Sequence, residues 1–234
     1  ALITGASSGI GAEFARQLSS LGYNSVLVAR RKEKLENLSR KLSEKYNLKS
    51  EVLVADLSKQ TDINRVCNYI SNLDRLDFLV NNAGFGIPKD FYEADLNKQL
   101  DMINVHVKAP TCLCYTAIPK MIEQGKGTII NVSSLASLIP KPGSSIYSAT
   151  KSYLTTFSQT IQLTLKEKGI KIQALCPDYT HTNFHNTDDF KEWDKSKIPK
   201  FLWMNVEGVV ESSLSALDRD KVIHIPGFKN RLLL

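Results

Sequence analysis

The chain has 234 residues, 42% of them hydrophobic, and a net charge of +6. That is enough apolar content for one sizeable core, and no apolar run approaches the ~20 residues that span a bilayer. The charge does not mark a nucleic-acid surface: residues 30–46 hold seven basic and three acidic side chains, with Tyr46 as the only aromatic. A stacking platform is missing there, so these charges read as the solvated face of one helix, and no nucleic-acid partner is expected.

The four cysteines, Cys67, Cys112, Cys114 and Cys176, form no disulfide framework or C-x-x-C pair. Cys112 and Cys114 with nearby His106 make the one metal-like grouping, but buried helix cysteines are the preferred reading and no metal is expected. Such cysteine usage, with no signal-peptide pattern, suggests a reducing, cytoplasmic location. The chain begins at Ala1 rather than Met, so what precedes it stays open.

Apolar strand-like runs fall near 1–3, 25–29, 51–55, 77–81, 128–133, 170–176 and 221–225. Helical patterns fall between them, near 10–21, 32–46, 60–72, 96–124, 147–168 and 206–217, with Pro110 and Pro119 as candidate breaks in the fourth. This alternation predicts an α/β fold, a single Rossmann-like doubly wound parallel sheet over 1–234 with helices on both faces. Ligands should then gather at the carboxyl ends of the strands.

Two motifs carry chemistry. Residues 4–11 read TGASSGIG after an apolar stub. Gly5, Gly9 and Gly11 permit a tight turn and close approach to a phosphate, and a helix starting at Ile10 would offer free N–H groups to it. Further on, Tyr147 and Lys151 lie one helical turn apart, with Ser134 thirteen residues before the tyrosine at the end of a strand. A phenol ionises near ~10, and bringing that toward neutral pH needs roughly 4 kcal/mol. One ammonium about 4 Å away, at an effective dielectric near ~20, supplies about that much. The trio is therefore a candidate acid/base centre.

With these motifs in place, the chain resembles the short-chain dehydrogenase/reductase family. The matching signatures are TGASSGIG, Asp56-Leu57, NNAG at 81–84, Asn104 in INVHVKAP, and Ser134 with Tyr147-x-x-x-Lys151. The resemblance implies hydride transfer between a nicotinamide and a carbonyl or alcohol carbon. Tyr147 would exchange the proton, Ser134 would orient the oxygen, and Lys151 would lower the phenol's pKa and hold the nicotinamide ribose. Asn104 would help hold a water leading from the lysine. For the cofactor it implies contacts from Gly5, Ser7, Ser8, Gly9, Ile10 and Gly11, from Asp56 and Leu57 to the adenine, and from Asn82, Ala83 and Gly84. Pro177 and Thr182 would border the nicotinamide or diphosphate, and Asn81 would also brace the sheet.

Cofactor choice is legible after the second strand, where an NAD-type site wants an acid. Here Ala29 is followed by Arg30 and Arg31, which favours NADP(H) over NAD(H). By resemblance Arg30 is the expected grip on the 2′-phosphate, with Arg31 starting the basic helix. One departure stands out: Asp178 follows Pro177 where relatives have Gly, and strain in that turn is a concern.

Residues 183–205 hold both tryptophans, Trp193 and Trp203, with Phe184, Phe190 and Phe201. They read as a substrate lid over an apolar pocket, and their four lysines and four acids argue for no anionic substrate. By analogy the long fourth helix and the Tyr147 helix would pair subunits in a homodimer or homotetramer. The tail through Leu232, Leu233 and Leu234 is expected to pack. The rival readings are a redox sensor that binds NADP(H) without turnover and an interaction protein on the same fold; intact Tyr147, Lys151 and glycine loop weigh against both.

Overall fold

The computed structural model describes residues 1–219 and 221–231. The chain begins with β1 (Leu2–Thr4), α1 (Gly9–Ser20), β2 (Ser25–Ala29) and α2 (Lys32–Tyr46). It continues through β3 (Ser50–Val54), α3 (Gln60–Ser71) and β4 (Phe78–Asn81). Next come α4 (Leu96–Ile103), a π-helical turn (Asn104–Lys108), α5 (Ala109–Glu123), β5 (Gly127–Val132) and α6 (Ser145–Leu165). The last regular elements are β6 (Ile170–Leu175), α7 (Val206–Ser215), β7 (Ile223–His224) and α8 (Phe228–Arg231). All seven strands are parallel, in the order β3-β2-β1-β4-β5-β6-β7. This is the Rossmann-like doubly wound sheet. Its order reverses between β1 and β4, which opens a crevice at the strands' carboxyl ends.

Strand side chains alternate between two cores. Leu2, Val26, Leu79 and Ile129 face one layer with α3 and α5, while Ile3, Leu27, Val80 and Ile130 face the other with α1, α2 and α7. The helices meet them with apolar stripes: Leu35, Leu38 and Leu42 on α2, and Ile63, Val66 and Ile70 on α3. The basic residues of α2 lie on its other sides, and Asn47 ends the helix in the left-handed conformation.

Neither proline breaks the fourth helical stretch. The interruption is the π turn at Asn104–Lys108, and Pro110 sits beyond it in the first turn of α5. Pro119 stays inside α5, where the carbonyl it orphans belongs to the exposed Tyr115. The last strand is shorter than expected, only Ile223 and His224. Leu232, Leu233 and Leu234 lie outside the described residues; ahead of them Phe228 is exposed. Among the described residues no helix is long and apolar enough to cross a membrane.

Candidate active site

The glycine turn after β1 is strapped to the turn after β4. Thr4 Oγ1 accepts the backbone N–H groups of Asn82 and Ala83 at 2.9 and 3.0 Å, and Asn82 Nδ2 donates to the Thr4 carbonyl at 2.9 Å. This closeness explains two glycines. A Cβ on Gly5 would stand 2.6 Å from Asn82 Nδ2, and one on Gly11 would stand 2.4 Å from it. Gly9 adopts φ +57°, and a Cβ there would press on Thr182 at 3.1 Å. Thr182 thus lies over the glycine turn, its Oγ1 accepting the Phe184 N–H. Ser8 offers α1 no side-chain cap, which leaves the first-turn N–H groups around Ile10 available to an anion.

Arg31, rather than Arg30, reaches this turn. Its Nη2 donates to Ser7 Oγ at 2.7 Å and to Ser8 Oγ at 2.8 Å, with Nε also on Ser7. Arg30 is exposed. Consecutive residues at a strand end point to opposite sides, and the register of β2 aims the second arginine at the loop. Beside it, a groove of about 320 Å³ is lined by Ser7, Ser8, Arg16, Lys34, Lys41 and Asn183.

Past β3, Asp56 is half-buried and Leu57 buried. Asp56 Oδ1 accepts the Ser58 N–H at 3.1 Å, and Asp62 accepts the Asp56 N–H, a local turn that leaves α3 to begin at Gln60. Asn104 opens the π turn and donates to the Ser58 carbonyl at 3.2 Å. Asn81 braces the sheet: its Nδ2 donates to Asn131 Oδ1 at 2.8 Å, and Asn131 donates to Ser158 Oγ at 2.9 Å.

The candidate trio of Ser134, Tyr147 and Lys151 comes together. Ser134, just after β5, acts on the Tyr147 phenol and favours its ionised form, while its Oγ accepts the Ala136 N–H. Lys151 is buried; its Nζ donates to the Val132 carbonyl at 2.8 Å and lies 5.7 Å from the Tyr147 ring centre. Ser133 is set apart, its hydroxyl spent on the Lys151 carbonyl and on Thr155. The expected lowering of the phenol by the lysine is not what this geometry produces. Burial pushes Tyr147 up to about 12, opposed by Ser134 and assisted by Asp178 and Cys176. Burial also brings Lys151 down to about 8. The ammonium is turned to a carbonyl, so desolvation of the phenol dominates.

Asp178 causes no backbone strain, since Asn47 is the only non-glycine at positive φ among the described residues. It is half-buried, which raises its carboxyl pKa against the pull of Lys141. The Pro177 carbonyl accepts the Leu135 N–H at 2.9 Å, joining this turn to the Ser134 loop. Over the phenol, residues 183–205 bring an aromatic cluster. Phe184 stands edge-on to Tyr147 at 6.0 Å, His185 stacks on Trp193 at 4.8 Å, and His181 stacks on Trp203 at 4.9 Å.

Sequence reasoning missed Thr4, Asn131 and His106. A polar residue in the apolar run 128–132 was a usable signal for Asn131; Thr4 opens the TGASSGIG motif and His106 lies within INVHVKAP, but neither was given these contacts. The imidazole does not join Cys112 and Cys114. It is fully buried beside Tyr147, and no group of residues suited to a metal exists among those described.

Comparison with known proteins shows the family and the fold. The family described as short chain dehydrogenase matches residues 1–193. A very-long-chain 3-oxoacyl-CoA reductase of Anas platyrhynchos is 35% identical over 187 residues, covering 78% of this chain and 60% of that protein. The inactive hydroxysteroid dehydrogenase-like protein 1 of Homo sapiens is 32% identical over 192 residues, 81% of this chain and 58% of that one. The chain therefore spans about 60% of the length of these relatives. Among solved structures, a short-chain dehydrogenase from Sphingobium yanoikuyae in complex with NADPH superposes with a TM-score of 0.89 at 32% identity. That match covers 97% of this chain and 87% of the other.

Proposed function

This chain belongs to the short-chain dehydrogenase family, and on that premise we propose that it is an NADP(H)-dependent oxidoreductase acting on a carbonyl or secondary alcohol carbon. The observation that carries the reading is the phenol of Tyr147, which Ser134 influences and whose ring centre lies 5.7 Å from the ammonium of the buried Lys151. At neutral pH the phenol carries its proton and can give it to a carbonyl oxygen, although burial, by pushing it up to about 12, makes that transfer harder. Ser134 holds that oxygen in place. To Lys151 we assign the resupply of the proton, and to Asn104 the water-holding role that the family resemblance implies.

The nicotinamide cofactor supplies the hydride when bound. The cradle for it fits: three glycines that admit no Cβ without a clash or strained φ, uncapped amides at α1, and a guanidinium seated on Ser7 and Ser8. Ala29 leaves room for a 2′-phosphate, and Arg31 with the two hydroxyls is the grip we assign to it, in place of Arg30. Asp56, Leu57, Asn82, Ala83, Gly84, Pro177 and Thr182 complete the cofactor's surroundings. The NADPH complex of the Sphingobium yanoikuyae relative supports NADP(H).

We read residues 1–234 as one domain and 183–205 as its substrate lid. The aromatic rings around Phe184 suit a bulky, apolar carbonyl substrate. Exposed Tyr115 on α5 and Leu163 on α6 support a homodimer or homotetramer. Four free cysteines suit a reducing cytoplasm. A second reading, NADP(H) binding without turnover, is favoured by relatives described as inactive.

Oxidation of NADPH and NADH against a panel of bulky ketones and aldehydes separates the two. Turnover with NADPH is expected, falling roughly 10²-fold or more in Tyr147→Phe while NADPH binding persists. Tight NADPH binding with no carbonyl reduced would establish the sensor instead.

A further inference from the structure

His106 forms a link that none of these steps uses. The π turn places it fully buried between two rings, 5.9 Å from Phe85 and edge-on to Tyr147 at 5.7 Å. The Phe85 N–H donates to Nε2 at 3.1 Å. That requires a lone pair on Nε2, so the ring's single proton sits on Nδ1. Nδ1 faces Thr150 Oγ1 at 3.0 Å, and the Thr150 hydroxyl donates to the Tyr147 carbonyl at 2.9 Å. Along Phe85, His106, Thr150 and Tyr147 every donor meets one acceptor. A second proton would set N–H against N–H at Phe85; burial, helped by the charge of Lys151, keeps the imidazole well below its usual pKa. Gly84 belongs to the same fit, since a Cβ there would stand 2.7 Å from Nε2.

We propose that His106 is a positioning residue for the reaction: as the neutral Nδ1–H tautomer it ties the loop at 82–85 to the backbone of Tyr147, and so sets where the phenol stands over the cofactor-bordering loop. The kinetic consequence rests on the reductase reading; the link itself rests on the geometry.

Two substitutions cut the link at neighbouring points. His106→Gln keeps an acceptor near Nε2 and loses the Nδ1 donor, and Thr150→Val removes the next hydroxyl. Each should lower kcat roughly tenfold or more while the KM for NADPH moves by less than about threefold. The double variant should be no slower than the worse single, because both break one chain. His106→Asn, which retains a donor near Nδ1, should recover activity relative to His106→Phe. A readout free of turnover is the 13Cζ-tyrosine NMR resonance of Tyr147, assigned by its loss in Tyr147→Phe. It should shift in the same direction in His106→Gln and Thr150→Val. Additive kinetic losses, or an unmoved resonance in folded variants, would overturn the proposal. A wild type that binds NADPH but reduces no carbonyl defeats the reductase reading, and the resonance then still decides whether His106 positions the phenol.

Discussion

At the scale of single residues, the two arginines after β2 show how much one side-chain direction decides. Arg30 and Arg31 are chemically equal candidates for a phosphate, yet only Arg31 bonds Ser7 and Ser8. Charge-assisted hydrogen bonds of this type contribute about 1.5–3 kcal/mol each. Arg31→Ala should therefore reduce the preference for NADPH over NADH roughly 10- to 100-fold in dissociation constants read by cofactor fluorescence. Arg30→Ala should change it by less than about threefold. The reverse ranking would return the 2′-phosphate to Arg30. The Tyr147 phenol is the other lesson at this scale: helical spacing places Lys151 one turn away, but spacing does not say that the ammonium turns to Val132.

Among elements, the segment 183–205 behaves as an aromatic unit rather than a loose loop. His185 lies inside it, against Phe184, Phe190, Trp193 and Trp203, and its Nδ1 is buried without a partner. Burial, with Lys195 adding repulsion, holds its pKa down at about 4, against ~6.5 in an unfolded chain. Between those values the opened segment takes up a proton that the closed one refuses, so closure is stabilised above pH 6.5 and weakens as pH falls toward 4. Both tryptophans of the chain lie in this segment, which makes their emission a direct report. A red shift of tryptophan emission should develop over that range and be absent in His185→Phe; an identical response in the variant would rule out His185 as its origin. The clamp from Lys98 on α4 to Asp189, at 2.6 Å, is exposed and adds little.

Across the whole molecule, two apolar layers hold the sheet while a buried polar chain joins it to α6. Asn81 on β4, Asn131 on β5 and Ser158 on α6 are linked inside an otherwise apolar interior. Removing the middle member leaves the Asn81 Nδ2 only its weak bond to Cys114 Sγ at 3.3 Å, a buried donor under-satisfied at a cost of about 1–3 kcal/mol together with the lost bonds. Asn131→Ala should lower the stability read by urea unfolding by roughly 2–4 kcal/mol at unchanged m-value. Tyr115→Ser, at a side chain 83% exposed, should stay within about 0.5 kcal/mol. Equal effects would mean that the polar chain is not what fastens α6 to the sheet.

The sequence alone determined the alternation of strands and helices, the glycine turn, and the grouping of Ser134, Tyr147 and Lys151. The first two and the Tyr147–Lys151 pair are written in local periodicity or in spacing along a single turn, strand or helix, while Ser134 joins them through the family motif. Only the tertiary structure decided which arginine faces the loop, that a π turn and not a proline interrupts the fourth helical stretch, and that His106 sits between Phe85 and Tyr147. It also decided that burial pushes the phenol up rather than down. These depend on contacts between residues far apart in the chain and on desolvation, a property of the assembled interior that no stretch of sequence possesses by itself.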